Sequence, residues 1–235
     1  MLRPMFTTVA PTYDLANKTL TLGLDQHWRR TCAKETPSGQ YVVDLCCGTG
    51  DLSIQLLRNL TPESCLIGLD YSKEMLTVAV KKKKKQLQTR NEKPKADFTL
   101  IIADAAHLPL KNGFISDVRI SFSFRNLIYK NPKAIKYLKE INRILKNNGQ
   151  FSSVETSQPK NHIIRSFFHF YCLKIIPLAG GLICGQKGPY AYLGKSAANF
   201  PLPQEIMAML KKAGFRKTSF KPLTLGIVAL YHGRK

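Results

Sequence analysis

The segment Tyr41–Asp51, YVVDLCCGTGD, constrains the fold more than any other stretch. Extended, β-branched residues run into an acid, then adjacent cysteines, then Gly48-Thr49-Gly50, and a helix-like stretch, Leu52–Asn59, follows. Glycines at such a turn let a ligand lie against bare backbone, and the helix start offers N–H groups with no intrahelical partner. Apolar, β-branched runs recur at Cys65–Asp70, Phe98–Ala103, Val118–Phe122 and Gln150–Glu155, alternating with helix-like Lys73–Leu87 and Pro132–Leu145. That alternation predicts an α/β fold with a largely parallel sheet covered on both faces. The end departs from it. Pro203 opens a helix closed by Gly214, and the runs Arg216–Lys221 and Gly226–Tyr231 then predict a hairpin, so at least one strand runs antiparallel.

A chain of 235 residues with 44% apolar content fits one domain over residues 1–235. Residues 1–38 read as a polar-amphipathic helical extension. Residues 157–200 are aromatic, glycine-rich and irregular in pattern, and are predicted to cover a hydrophobic ligand beyond the strand ends. The start has no apolar signal-peptide core. Cys172–Cys184, the longest apolar stretch, is interrupted by Lys174, Pro177 and Gly180-Gly181 and reads as too short for a membrane span. The expectation is a cytoplasmic protein, peripheral at most at the inner face of the cell membrane. Six cysteines without a C-x-x-C pair read as free thiols, with no metal site. The formal charge of +21 calls for an anionic partner, and Lys81–Lys85 reads as a solvated helix end or, more sharply, as a contact for an anionic membrane.

The strand ends carry the ligand chemistry. Asp70 stands about 20 residues after the glycine loop, where a carboxylate grips the two hydroxyls of a ribose. A nicotinamide dinucleotide would want a third loop glycine, which is missing here. Asp44 at the end of the first strand points instead to a ligand with an amine or cation near the turn; S-adenosylmethionine has both, and no phosphate. Asp104 and Ala105 suit an adenine amino group, and Ser121 is expected to line the same pocket with Gly48, Thr49 and Gly50.

The stretches MFTTVAPTYDLANKTLTLGLDQHWRR, GLDYSKEML, ADAAHLPL, FSFRNL, EINRILKNNGQFSSVETSQP, YLGKSAANFP and LTLGIVALYHG together resemble the menaquinone and ubiquinone biosynthesis C-methyltransferase family, nearly end to end. Departures include Asp25, where that family commonly has His, and Cys46 in place of the loop's first glycine. The resemblance implies a class I S-adenosylmethionine-dependent methyltransferase fold, a Rossmann-like seven-stranded sheet with a C-terminal antiparallel hairpin. It also implies methyl transfer to a ring carbon of a prenylated quinol, with demethylmenaquinol favoured over a polyprenyl benzoquinol. An aromatic carbon becomes a good nucleophile once its hydroxyl ionises, and the donor's positive sulfur needs no metal. Arg125 is expected to favour the quinolate and Asn126 to hold a proton-accepting water, with Tyr13 and, less centrally, His169 as further candidates. A homodimer is the expected assembly. An RNA methyltransferase and a non-catalytic scaffold are the rivals; neither an N/D-P-P-Y/F motif nor an added RNA-binding module favours the first.

Overall fold

The computed structural model describes residues 12–35, 40–89 and 96–235; expectations for residues 1–11, 36–39 and 90–95 lie outside them. Seven strands form one sheet: β1 (Tyr41–Leu45), β2 (Cys65–Asp70), β3 (Asp97–Ile102), β4 (Ile115–Ser121), β5 (Leu145–Thr156), β6 (Lys217–Leu223) and β7 (Val228–Arg234). Their order is β3-β2-β1-β4-β5-β7-β6, and β7 is antiparallel to both neighbours while β1 to β5 pair in parallel. The order reverses between β1 and β4, and a crevice forms beyond the strand ends at such a reversal.

Alternation along β1 assigns the faces. Val43 and Leu45 join one buried layer with Ile120, Leu138, Ile141, Ile206 and Leu210, under α6 (Ala134–Ile144) and α10 (Pro203–Lys212). Val42 points the other way, into a layer with Trp28, Cys32, Leu52 and Leu56 from α2 (Leu24–Lys34) and α3 (Asp51–Leu57). On that second side the fully buried Arg119 of β4 pairs with Asp117 at 2.6 Å and donates to the carbonyls of Cys32 and Glu35 at the end of α2. Those are orphan carbonyls of a helix C-terminus, so the guanidinium both neutralises a buried acid and closes a helix. The short α1 (Tyr13–Leu20) precedes α2, as the sequence predicts for the described part of the N-terminal extension.

The irregular reading of residues 157–200 is overturned. Asn161 caps α7 (His162–Phe170), which runs through a π turn, Tyr171–Ile175, into α8 (Ile176–Cys184), and α9 (Lys187–Ala198) folds back against it. The glycines taken for chain breakers are contact points. A Cβ on Gly194 would lie 1.9 Å from the Cys172 carbonyl oxygen, so α9 meets the π turn backbone to backbone, and one on Gly180 would meet the Tyr190 ring at 2.1 Å. Continuity also corrects the length: among the described residues His162–Cys184 is a 23-residue helix long and apolar enough, by length and composition, to cross a membrane.

The lysine run, on α4 (Lys73–Thr89), is not a free cationic end either. Lys82 pairs with Asp14 at 2.6 Å and with Asp51, and Lys83 lies over the Phe98 ring at 5.2 Å while donating to that residue's carbonyl.

Gly194→Ala is expected to lower the melting temperature by several degrees, because the added methyl must push the helix backbones apart. Gly188→Ala, whose Cβ meets nothing within 4 Å, is the matched control and should be neutral or slightly stabilising in the same thermal scan.

Candidate active site

Two cavities open beyond the C-terminal ends of the parallel strands, and Tyr13 and Asn126 line both of them. The larger, about 600 Å³, has the β1 loop at its base and the ends of β2 and β3 along one side. Gly48 adopts φ +55°, and the space around its Cα is open, so a ligand can reach the bare backbone there. Its N–H donates to Asp70 Oδ2 at 2.9 Å, and the Ser72 N–H donates to Oδ1 at 2.8 Å. These contacts hold the carboxylate in a fixed pose with lone pairs to spare for hydroxyl donors. Burial pushes the Asp70 carboxyl up, and the Ser72 and Gly48 donors pull it back. Asp104, exposed at the end of β3, accepts from the Ala106 N–H at 2.9 Å, and Ala105 and Met75 complete that side of the wall.

Of the cofactor-binding residues expected from sequence, Gly48, Asp70, Asp104 and Ala105 come together on this wall, and four others do not. Asp44 shares the Val42 side of β1 and is fully buried toward α3; Ser53 donates to its Oδ2 at 2.6 Å and its Oδ1 has no partner. Burial raises its carboxyl to about 7. Thr49 and Gly50 lie behind the loop: Thr49 donates to Asp14 at 2.7 Å, and a Cβ on Gly50 would sit 3.2 Å from that of Ala79. Ser121 stays in the ladder opposite Val154, and Ser123, two residues on, takes the wall position and donates to the Cys46 carbonyl at 3.4 Å. Cys46 itself lines the cavity with φ +56°. Burial, reinforced by the carboxylates of Asp70 and Asp44, holds the Cys46 and Cys47 thiols well above their ordinary range, which suits the reading of both as small packed residues. All six cysteines are free, and among the described residues no cluster of three His, Cys, Asp or Glu could hold a metal ion.

The smaller cavity, about 280 Å³, is largely apolar, walled by α1, α2, the loop after β4 and the inner side of α7 to α9. Its charged groups, Asp25, Arg29 and Arg125, are buried. Arg125, 4% exposed, gives Nη1 to Glu155 Oε1 at 2.8 Å and its own N–H to Oε2 at 2.9 Å; Glu155 is fully buried. Arg125 lines this cavity, and its charge is shared with the Glu155 carboxylate. The Arg125 Nε and the Asn126 Oδ1 are buried without partners. Burial also raises the Tyr13 phenol, opposed by the Arg29 charge. His169 is absent from both walls and pairs with Gln158 at 2.9 Å.

Two functional candidates escaped the sequence reading. Asp25 and Arg29 form a buried ion pair one helical turn apart on α2, with Arg29 lying over the Phe122 ring at 5.1 Å. Asp25 is the one carboxylate on the wall of the smaller cavity among the described residues. The spacing of an acid and a base at i and i+4 was visible; that the pair faces inward is decided by the packing of Trp28 and Phe122.

The model of the ubiE/COQ5 methyltransferase family matches residues 2–235. The chain belongs to that family. It is 36% identical over 233 residues to a demethylmenaquinone methyltransferase of Lactiplantibacillus plantarum, covering 98% of this chain and 94% of that protein. It is 31% identical over 236 residues to a ubiquinone/menaquinone biosynthesis C-methyltransferase of Geobacter sulfurreducens, covering 100% and 88%. Among solved structures, a SAM-dependent methyltransferase from Thermotoga maritima superposes with a TM-score of 0.66 at 17% identity over the full length of both chains. That last likeness is one of fold.

The Asp44 carboxyl makes stability depend on pH. Its folded value of about 7 lies above the ordinary 3.8, so the folded state holds a proton that the unfolded state has released between those limits. Its contribution is therefore full below about pH 4 and lost as pH rises to about 7. The melting temperature of Asp44→Asn relative to wild type should shift in the variant's favour by a few degrees between pH 4 and pH 7.5, and a pH-independent gap would show that Asp44 is ionised throughout.

Proposed function

We propose that the chain transfers the methyl group of S-adenosylmethionine to a ring carbon of a prenylated quinol, converting demethylmenaquinol to menaquinol at the inner face of the cell membrane. The observation that carries the reading is the meeting, at Tyr13 and Asn126, of a mixed cavity that carries Asp70 and Asp104 with a largely apolar one. Support for the naphthoquinol ring comes from the relatives: 36% identity to a demethylmenaquinone methyltransferase, against 31% to a protein whose name covers both quinone classes.

The larger cavity fits the donor. The bare Gly48 backbone, the fixed Asp70 carboxylate and the Asp104–Ala105 strand end present acceptors for a ribose diol and an adenine amine beside an open surface for the chain between them. When bound there, S-adenosylmethionine supplies a methyl group already made electrophilic by its positive sulfur. No residue need activate the donor. The work of the protein falls on the other partner.

The smaller cavity fits an apolar ring with a polar edge. Asp25, held by Arg29, Thr21 and Gln26, stands where a quinol hydroxyl can give up its proton, and the Arg125 Nε, buried without a partner, is a donor that favours the resulting quinolate. The negative oxygen pushes electron density to the ring carbon, which takes the methyl; the hydrogen on that carbon then leaves as a proton and the ring regains aromaticity. The Asn126 Oδ1, buried without a partner between the cavities, is an acceptor for a hydroxyl or a water at the point of transfer. Walls of Phe122, Tyr190, Tyr192 and Ile176 exclude bulk water, so these charges act at low dielectric. Segment 157–200 thus forms the cover over the acceptor, as helices rather than as a loop.

Asp70→Ala should weaken S-adenosylmethionine binding in calorimetry by about tenfold or more through the lost diol contacts. Unchanged affinity in a folded variant would place the ribose elsewhere.

Asp25→Asn should leave donor affinity intact and lower turnover on the order of 100-fold, the usual contribution of a positioned base. The deficit should shrink as pH rises, because solvent base then ionises the quinol. Asp25→His, which restores a proton acceptor, should recover most of the loss. Equal turnover of the Asn variant and wild type over that range would remove Asp25 from the mechanism.

A further inference from the structure

The continuous helix His162–Cys184 is apolar on two sides. Phe168, Cys172, Ile176 and Gly180 face inward, and three of them reach the wall of the smaller cavity or its packing layer. Ile163, Phe167, Phe170, Leu178 and Leu182 face out, with exposures from 58% to 80%. In an unbroken α-helix, at about 100° per residue, the five side chains would spread over about 120°, with Leu178 about 20° from Phe167 and Leu182 displaced from Ile163 by about 100°. The π turn Tyr171–Ile175 adds the equivalent of one residue and turns the second half back by about that angle. All five outer side chains then fall within about 40° of one line. The π turn therefore narrows the exposed apolar ridge to about 80° of the helix surface. A soluble surface gains nothing from such a ridge.

The charge around the ridge says what it meets. No Asp or Glu occurs between Glu155 and Glu205, whereas Lys160, Arg165, Lys174, Lys187 and Lys195 all lie in that interval. The four lysines among them are exposed. An apolar ridge set among cations with no acid in the segment is complementary to an anionic headgroup layer over acyl chains. The inner face is occupied by the fold, since Gly180 and Gly194 hold the helix against α9, which leaves the outer face for the bilayer. Next to the ridge, Tyr171 donates to the Leu20 carbonyl at the end of α1, and the following turn carries Leu22, 89% exposed and on the rim of the smaller cavity.

We propose that the outer face of His162–Cys184 docks this protein on an anionic bilayer, lying in the headgroup region with Ile163, Phe167, Phe170, Leu178 and Leu182 inserted, so that the rim at Leu22 opens toward the lipid. The docking surface stands on the geometry just given; its purpose, delivery of a lipid-dissolved acceptor to the smaller cavity, rests on the quinol reading. The helix then has lipid on one side and the substrate cavity on the other. The lysine run on α4, two of whose members are committed within the fold, is not the principal contact.

Co-sedimentation of the full chain with vesicles of equimolar phosphatidylcholine and phosphatidylglycerol tests it. Wild type should bind, and Phe167→Glu with Leu182→Glu should bind at least about tenfold more weakly while keeping its S-adenosylmethionine affinity and its thermal transition. Leu182→Trp offers a milder probe: its new indole should shift to the blue on vesicle addition and be quenched by brominated lipid. Equal binding of wild type and the double variant, or an indole indifferent to lipid, overturns the proposal. So does a wild type that is dimeric without lipid and a double variant that is monomeric, since a second copy then covers the ridge. Methylation of a short-chain quinol in lipid-free solution reads the chemistry separately. A wild type that docks on vesicles yet fails that assay overturns the quinol reading and leaves the docking surface standing.

Discussion

Glu155, one residue before the end of β5, has no solvent contact, and four donors converge on its carboxylate: the Arg125 backbone N–H, the Arg125 guanidinium, and the Thr156 N–H and hydroxyl. A lone carboxylate at that depth would cost several kcal/mol, so the site persists only because these donors are fixed. In satisfying them it joins the exit of β4 to the exit of β5, and so fixes α5 (Phe124–Ile128), on which Asn126 sits. The partition between the two cavities hangs from this one pair. Its loss would be felt first as a loosened loop rather than as a missing charge, since removing either partner strands the other in the interior.

The parts of the fold legible in the sequence are those governed by local rules. β-branched runs gave strands within a few residues, and the glycine turn behind β1 was read correctly because Gly48 adopts the left-handed backbone that the turn demands. Asp44 sits away from the crevice for a reason the sequence carries: it shares a side with Val42, and period-2 alternation sends both into the layer under α3. Strand-end acids reach a crevice only if they lie past the last paired residue or at it, as Asp70 does.

Segment 157–200 failed for a different reason. Glycine and proline weigh against a helix when each residue is judged by its own backbone entropy. At Gly180 and Gly194 that cost of about 1 kcal/mol each is offset by contact between two helices that no larger residue would permit. Such a gain belongs to a pair of elements and is invisible in either one alone. The inward turn of Asp25 and Arg29 is likewise set by groups from elsewhere in the chain: the Phe122 ring under Arg29, and Thr224, which accepts from the Trp28 indole on the same helix.

The placement of β7 between β5 and β6 has a bearing on how the molecule is made. During synthesis β5 emerges with one edge open, and β6, which pairs with β7 alone, has nothing to join until Val228 and the residues after it appear. Every nascent chain shorter than that carries an unpaired central edge and an unseated Tyr231 pocket at once, the arrangement by which sheets recruit strands from other molecules. Completion of the sheet is thus a late and nearly all-or-none event, in which seven residues from one end of the described chain act as the closing stave. Ribosomal stalling or proteolysis just upstream of Val228 would yield, instead of a slightly shortened enzyme, a sticky sheet with two exposed borders.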